Sequence, residues 1–392
     1  MNAQLLLLTL CQGFFLTNNV TFIAINGLVG LALAPTPWMA TLPVTGYVAG
    51  GALSAALVAR HQRRFGRRVA FQIGTLVAAF ASALCAYAAW SQNFWLLVIA
   101  TLIAGYYNAN AGLYRFAATE LVGPADKEKA ISWVLAGGII GAVAGPNLAS
   151  ATRELFSVAF VGAYAVLAVV ALFAFATLFF IRFPPLPVAN AAAPGRPVRE
   201  IVRQPIFIVA VAGCALGYGV MNLLMAATPI AMQQCAHPFS AAALVLEWHV
   251  LGMFVPSFFT GSLVKRFGAP KVMWAGVLLN AACIAVALSG VDLMQFLIAL
   301  TALGVGWNFL FIGGTALVTE SYRPEEKTTA QAAMDGIVMT TMAITSFASG
   351  ALITTQGWTW LNLGSIVPVL LIAAALLWLA SLRRAAQNRR VV

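Results

Sequence analysis

Acidic residues are scarce in this sequence. Only 11 of its 392 residues are Asp or Glu, and all charged residues together make up 8%, against roughly 25% in an ordinary soluble domain. Such a chain cannot clothe a folded surface in polar side chains, which excludes a large soluble enzyme and makes lipid the solvent. Cysteine is sparse too. Cys11, Cys85, Cys214, Cys235 and Cys283 form no CxxC pair, which argues against a disulfide framework or a zinc site. HExxH, GxSxG and P-loop patterns are missing, as is a clustered pair of carboxylates within an apolar run, so no enzyme chemistry is expected. No small-residue cleavage site follows the first apolar run, so no removable signal peptide is expected. The net charge of +11 does not point to nucleic acid, because the basic residues fall in short clusters between long apolar stretches.

What is present is hydrophobic length. A spanning helix takes roughly 20 mostly apolar residues. Twelve runs qualify, at about 4–34, 37–59, 69–90, 94–118, 130–151, 157–182, 205–233, 240–264, 271–290, 294–318, 329–353 and 359–382. They do not alternate polar with apolar residues, so they read as helices rather than barrel strands. With the N-terminus taken as inside, the even-numbered loops and the tail hold 21 of the 22 Lys and Arg residues, and only Arg153 falls on the other side. That bias predicts a multi-pass protein of a bacterial inner membrane with both termini in the cytoplasm.

The chain also repeats itself. "ATELVGPADK" (118–127) and "VTESYRPEEK" (318–327) align at an offset of 200, pairing Glu120 with Glu320 and Pro124 with Pro324; Asn108 and Asn308 keep that offset. "RRFGRRV" at 63–69 echoes "KRFGAPKV" at 265–272. The Pro- and Ala-rich stretch 184–204 reads as a cytoplasmic linker between six-helix bundles at 1–183 and 205–392.

Over its whole length the chain resembles the major facilitator superfamily. The superfamily's GxLaDRxGRR loop survives as "ALVARHQRRFGRR" and again as "GSLVKRFGAPK", both without the usual aspartate, whose place in the second copy Lys265 takes. Gly141, Gly145 and Pro146 resemble its GxxxGP element. The resemblance implies an all-α membrane protein of twelve transmembrane helices in two six-helix repeats, working as a monomer by alternating access. Spans one, four, seven and ten would line the pathway. Polar residues in those spans include Asn18, Asn19, Asn108, Asn222 and Asn308. They either face a solute or tie helices together.

Two motifs bear on the cargo. Met221 and Met225 lie four residues apart in span seven, and His249 and Met253 repeat that spacing in span eight. Residues four apart share a helical face, and counted from the outer end the two pairs lie at matching depth. Thioethers with a neutral imidazole suit copper and poorly suit oxygen-seeking ions, although methionine also fills cores. The MxxxM and HxxxM pair resembles the CcoA-like branch of the superfamily. That likeness implies copper import with Met221, Met225, His249 and Met253 as ligands, the metal being cargo and no cofactor being bound. Cys235 at the outer mouth could receive the ion. The same branch includes riboflavin importers. On that alternative Tyr106, Tyr107, Tyr218 and Trp307 would stack a flat ring, while Asn108 and Asn308 would bond its edge. For coupling and gating the candidates are Glu120, Arg115, Glu247 and Asp335. The lipid bilayer and a copper ion or small organic solute are the expected partners, with no nucleic acid. A receptor that moves nothing is the rival of a different class, disfavoured by the want of any soluble sensing domain.

Overall fold

The computed structural model describes residues 2–123, 126–184, 195–323 and 326–391. Every regular element among them is helical, as an apolar chain in lipid requires if its backbone groups are to be satisfied locally. Helix α1 (Ala3–Leu33) starts at Asn2, whose side chain accepts the Leu5 N–H, an N-cap that satisfies one of the orphan donors of the first turn. Helical backbone then runs for 49 residues from Leu42 to Trp90. At 1.5 Å per residue that is about 73 Å, more than twice the hydrocarbon core of roughly 30 Å. Gly66 resolves the conflict: its φ of 74° and ψ of 170° are not helical, and the run divides into α2 (42–65) and α3 (67–90).

Next come α4 (Phe94–Ala118), α5 (Lys129–Thr152) and α6 (Val161–Leu178). The second half holds α7 (Pro205–Gln234), α8, α9 (Ala269–Ser289), α10 (Leu293–Ser321), α11 (Thr329–Thr355) and α12 (Gly357–Val391). Helix α8 consists of Phe239–Phe254 and Ser257–Phe267, bent by 41°. Counted in this way, the described residues supply the twelve spans expected. The ends differ where local chemistry intervenes. Pro37–Met39 forms a 3-10 turn, so α2 starts at residue 42 rather than 37. It also runs on to residue 65, which puts His61 on a helix instead of in a loop. Phe160 adopts a left-handed φ of 68° and delays α6 to residue 161. Residues 185–194 of the linker and the Pro124/Pro324 pair lie outside the described residues.

Helices α1–α6 pack chiefly on one another, as do α7–α12. Small residues allow this: a Cβ on Gly105 of α4 would collide with the backbone of Gly50 and Gly51 on α2, and one on Gly304 of α10 with the carbonyl of His249 on α8. The halves meet where α5 lies on α8, α2 on α11 and α1 on α7. The loops carrying most Lys and Arg define a basic side of the molecule. On the opposite, charge-poor side Thr41 fastens the halves: its hydroxyl donates to the Ser346 carbonyl at 2.7 Å and accepts the Gly350 N–H at 2.9 Å.

Candidate functional site

The pathway amides separate into two kinds. Asn222 on α7 donates to the Met342 carbonyl at 3.0 Å and the Ser346 hydroxyl at 2.8 Å, tying α7 to α11. Asn308 on α10 serves the break in α8. The bend at Pro256 parts the Met253 carbonyl from the Ser257 N–H it would meet in a straight helix, and Asn308 Nδ2 donates to that carbonyl and to the Ser257 hydroxyl, each at 2.7 Å. Its Oδ1 accepts from Thr260 at 2.7 Å. Both amides are spent inside the protein. Asn18 and Asn19 on α1 and Asn108 on α4 are less committed. The buried Asn18 Oδ1 has no partner, Asn19 donates to the Tyr47 hydroxyl at 3.1 Å, and half-buried Asn108 lies against Gly51.

Three aromatic rings of the second half meet where α7 packs on α10. Tyr218 of α7 meets Trp307 of α10 edge-on at 5.1 Å, and Phe311, one turn along α10, stacks on Trp307 at 5.1 Å with the planes 10° apart. The Trp307 indole N–H is buried without an acceptor, and most buried donors find a partner. Across the interface Arg115 of α4 interacts electrostatically with Tyr218 and with Asp335 of α11. Arg115 Nε is likewise buried and unpartnered, and its guanidinium covers the Phe116 ring at 4.8 Å. The second half thus offers flat apolar surface with an unsatisfied indole donor, and Arg115 lies within electrostatic range of Tyr218 and of Asp335. The other two tyrosines lie elsewhere: Tyr106 is bonded to His61 Nδ1 at 2.8 Å, and Tyr107 packs edge-on against Phe15 at 5.4 Å within the first half.

Met221, Met225, His249 and Met253 are all buried among apolar neighbours. His249 Nδ1 lies 2.7 Å from the Leu300 carbonyl. A carbonyl only accepts, so Nδ1 carries the proton and the neutral ring keeps a bare lone pair on Nε2, which is buried without a partner. Metal-binding histidines are oriented in this manner. Helix α7 packs chiefly on α10, α11 and α12, however, and α8 on α10 and α5, so the two sulfur-bearing faces share little direct contact. Among the described residues no three His, Cys, Asp or Glu side chains converge, and a metal would depend on thioethers with this single imidazole. Cys235 is half-buried just past α7, where burial pushes its thiol up from the ordinary value; it stays protonated and is a weak ligand.

The coupling candidates take three different positions. Glu120 accepts from Arg67 at 2.7 Å. Arg67 also donates to Gln62, which donates to Asn110, which donates to the Ala70 carbonyl. This chain fixes the α2–α3 turn to the end of α4, inside one half. Glu247 on α8 accepts from Asn147 on α5 at 2.8 Å, a bond between the halves. Asp335 is exposed on α11, within electrostatic range of Arg115. Sequence reasoning missed Phe311 and His61. Phe311 stands four residues after Trp307, the same helical face, and was there to be found. His61 was hidden by a helix end set six residues too early.

The sequence profile described as Major Facilitator Superfamily matches residues 5–246 and 215–391. A riboflavin transporter of Brucella anthropi, RfnT, is 41% identical over 362 residues, covering 92% of this chain and 91% of its own length. Two uncharacterized MFS-type transporters of Bacillus subtilis, YddS and YdeG, are each 29% identical over 91% and 89% of this chain, with 86% of either relative covered. None of these descriptions mentions copper. With twelve helices in two repeats and a match along nearly its full length, the chain belongs to the major facilitator superfamily.

Proposed function

We propose that this transporter imports a flavin, riboflavin being the named case, across the bacterial inner membrane with its basic side in the cytoplasm. The observation that carries the reading is the Tyr218–Trp307–Phe311 cluster with its unsatisfied indole N–H, with Arg115 in electrostatic range of Tyr218 and of Asp335. An isoalloxazine ring is flat, apolar on its faces and edged by carbonyls and an imide N–H. The aromatic cluster offers its faces a stacking partner, Trp307 and Arg115 donate to carbonyls, and Asp335 accepts from the imide. The likeness to a riboflavin transporter supports the same cargo. Alternating access follows from two packed halves around one site: with the charge-poor side fastened at Thr41, the solute leaves on the basic side.

The test is uptake of labelled riboflavin by cells that cannot make it. Expression of the chain should confer uptake, and Trp307→Ala should raise the half-saturating concentration roughly tenfold or more. Normal uptake by that variant would remove the site, and no uptake by the wild type would remove the cargo. Copper carriage is a second reading, favoured by the bare Nε2 of His249 alongside buried thioethers. It requires copper accumulation that fails on combined replacement of His249 and Met221 while riboflavin uptake persists. Flux of neither solute through reconstituted protein would favour a receptor.

A further inference from the structure

On the charge-poor side both halves enclose a hollow of about 320 Å³ that the flavin reading does not use. One wall comes from the ends of α1 and α3 and the α5–α6 connection, the other from the α7–α8 connection. Arg153 lies in it, the single Lys or Arg outside the basic-side clusters. Its guanidinium sits 5.4 Å from the centre of the Phe160 ring and 5.9 Å from that of Phe239. Those rings, one from each half, meet edge to face at 5.0 Å. Arg153 Nε is buried and makes no hydrogen bond. None of the ion pairs among the described residues includes this arginine. Exposed Gln92 and Gln233 stand at the rim. His237 is already engaged, with Nε2 on the Val291 carbonyl at 2.8 Å and its ring on Phe296.

A guanidinium with a buried Nε that has no acceptor, and with no ion pair among the described residues, has bonding capacity left for an anion. The planar guanidinium fork matches phosphate or carboxylate in a two-point bond, and the neighbouring ring edges suit a flat aromatic body. We propose that this hollow is a second, external site for a planar heteroaromatic anion, and that an occupant bridging both halves holds them closed on the charge-poor side and slows the transport cycle. A ligand that binds one state better shifts the carrier toward it. The slowing rests on the transport reading above; the binding does not.

Flavin mononucleotide supplies both features and serves as the probe, with riboflavin as its uncharged counterpart. Binding to the purified full chain in lipid nanodiscs is read by quenching of flavin fluorescence. The wild type should bind the mononucleotide. Arg153→Ala should weaken that binding roughly tenfold or more, as loss of a charge-assisted pair implies. Arg153→Lys should fall between them, and Trp307→Ala should bind the mononucleotide as the wild type does. Unchanged thermal unfolding of each variant without probe excludes misfolding as the cause. Failure of the wild type to bind, binding indifferent to Arg153, or binding lost on Trp307→Ala would each overturn the external site. In cells, added mononucleotide should slow riboflavin uptake by the wild type and leave Arg153→Ala unaffected. Arg153-dependent binding by a chain that takes up no riboflavin would defeat the flavin cargo and leave the external site standing.

Discussion

Gly66 in the first half and Gly268 in the second occupy the same place in an RFG turn, and their φ angles are 74° and 86°. Neither has any atom closer than 4.0 Å to where a Cβ would lie, so glycine is required there by backbone conformation and not by crowding. Just past these residues the halves part. Arg67 follows Gly66 and takes the carboxylate of Glu120, whereas Ala269 follows Gly268 and offers nothing. Glu320, the repeat partner of Glu120, therefore turns to Arg383 on α12 at 2.7 Å. The first pair is 13% and 20% exposed, the second 43% and 48%. The duplication kept the backbone of the turn and let its wiring diverge. The aromatic surface diverged likewise: at the offset of 200, Trp307 and Phe311 correspond to Tyr107 and Ala111. Only the second half therefore presents a stacked pair at this level.

The largest effect that could break this comparison is functional. Trp307→Ala should cost riboflavin uptake roughly tenfold or more in half-saturation. Tyr107→Phe, at the matching position, should leave uptake unchanged, since Tyr107 is buried against Phe15 within the first half and keeps its ring there. Equal losses from the two variants would mean that both halves grip the solute. Next in size are the turn glycines. Gly66→Ala and Gly268→Ala should each destabilise the purified protein by about 1–3 kcal/mol in thermal or denaturant unfolding, through the strained φ alone. A large inequality between them would show that the two turns are not equivalent.

The ion pairs sharpen the contrast further. Glu120→Gln strands a partly buried Arg67 and should cost about 1–3 kcal/mol. Glu320→Gln removes a solvent-exposed pair and should cost about 0–1 kcal/mol, less at high salt. The same unfolding measurement decides it, and a reversed order would refute the wiring described.

Much of this fold is written along the chain in one dimension. Twelve apolar runs and the glycine-bearing turns need no knowledge of packing, which is why the spans agree in number while ends shift, as at Pro37, Phe160 and the extension of α2 to residue 65. The site was legible only in part. Trp307 and Tyr218 stood out as aromatics in pathway helices, but the electrostatic coupling of Arg115 to Tyr218 and to Asp335 joins α4, α7 and α11, which no local pattern announces. The amides were ambiguous for a physical reason. An asparagine can serve a solute or a carbonyl freed by a bend, and Asn308 serves the bend at Pro256. That proline was visible in the sequence; the helix lying across from it was not.

The smallest effect concerns the segment that joins the halves, which is fastened to one of them. Glu326 is 2% exposed and accepts from the Arg196 side chain at 2.7 Å, from the Arg196 N–H and from the Arg323 N–H. Among the described residues, the ion pair of its repeat partner Asp126 is an exposed contact with Lys129 at 3.7 Å. The Arg196 side chain first, then the Arg323 N–H, holds the Glu326 carboxyl well below the usual carboxylate range. A depressed carboxylate stabilises the folded state fully above its unfolded pKa, and that contribution is lost as pH falls through the folded value. At pH 4 the Glu326 side chain should still be ionised in the folded protein and the clamp intact. Hydrogen-exchange protection of the Arg196 and Arg323 N–H groups, corrected for intrinsic rates, should therefore barely change between pH 7 and pH 4. Glu326→Gln should lower it at both pH values, because the neutral amide loses the charge-assisted bonds. Protection that collapses by pH 4 in the wild type would show an ordinary carboxylate there, and the linker would then be held no more firmly to the second half than Asp126 holds Lys129 in the first.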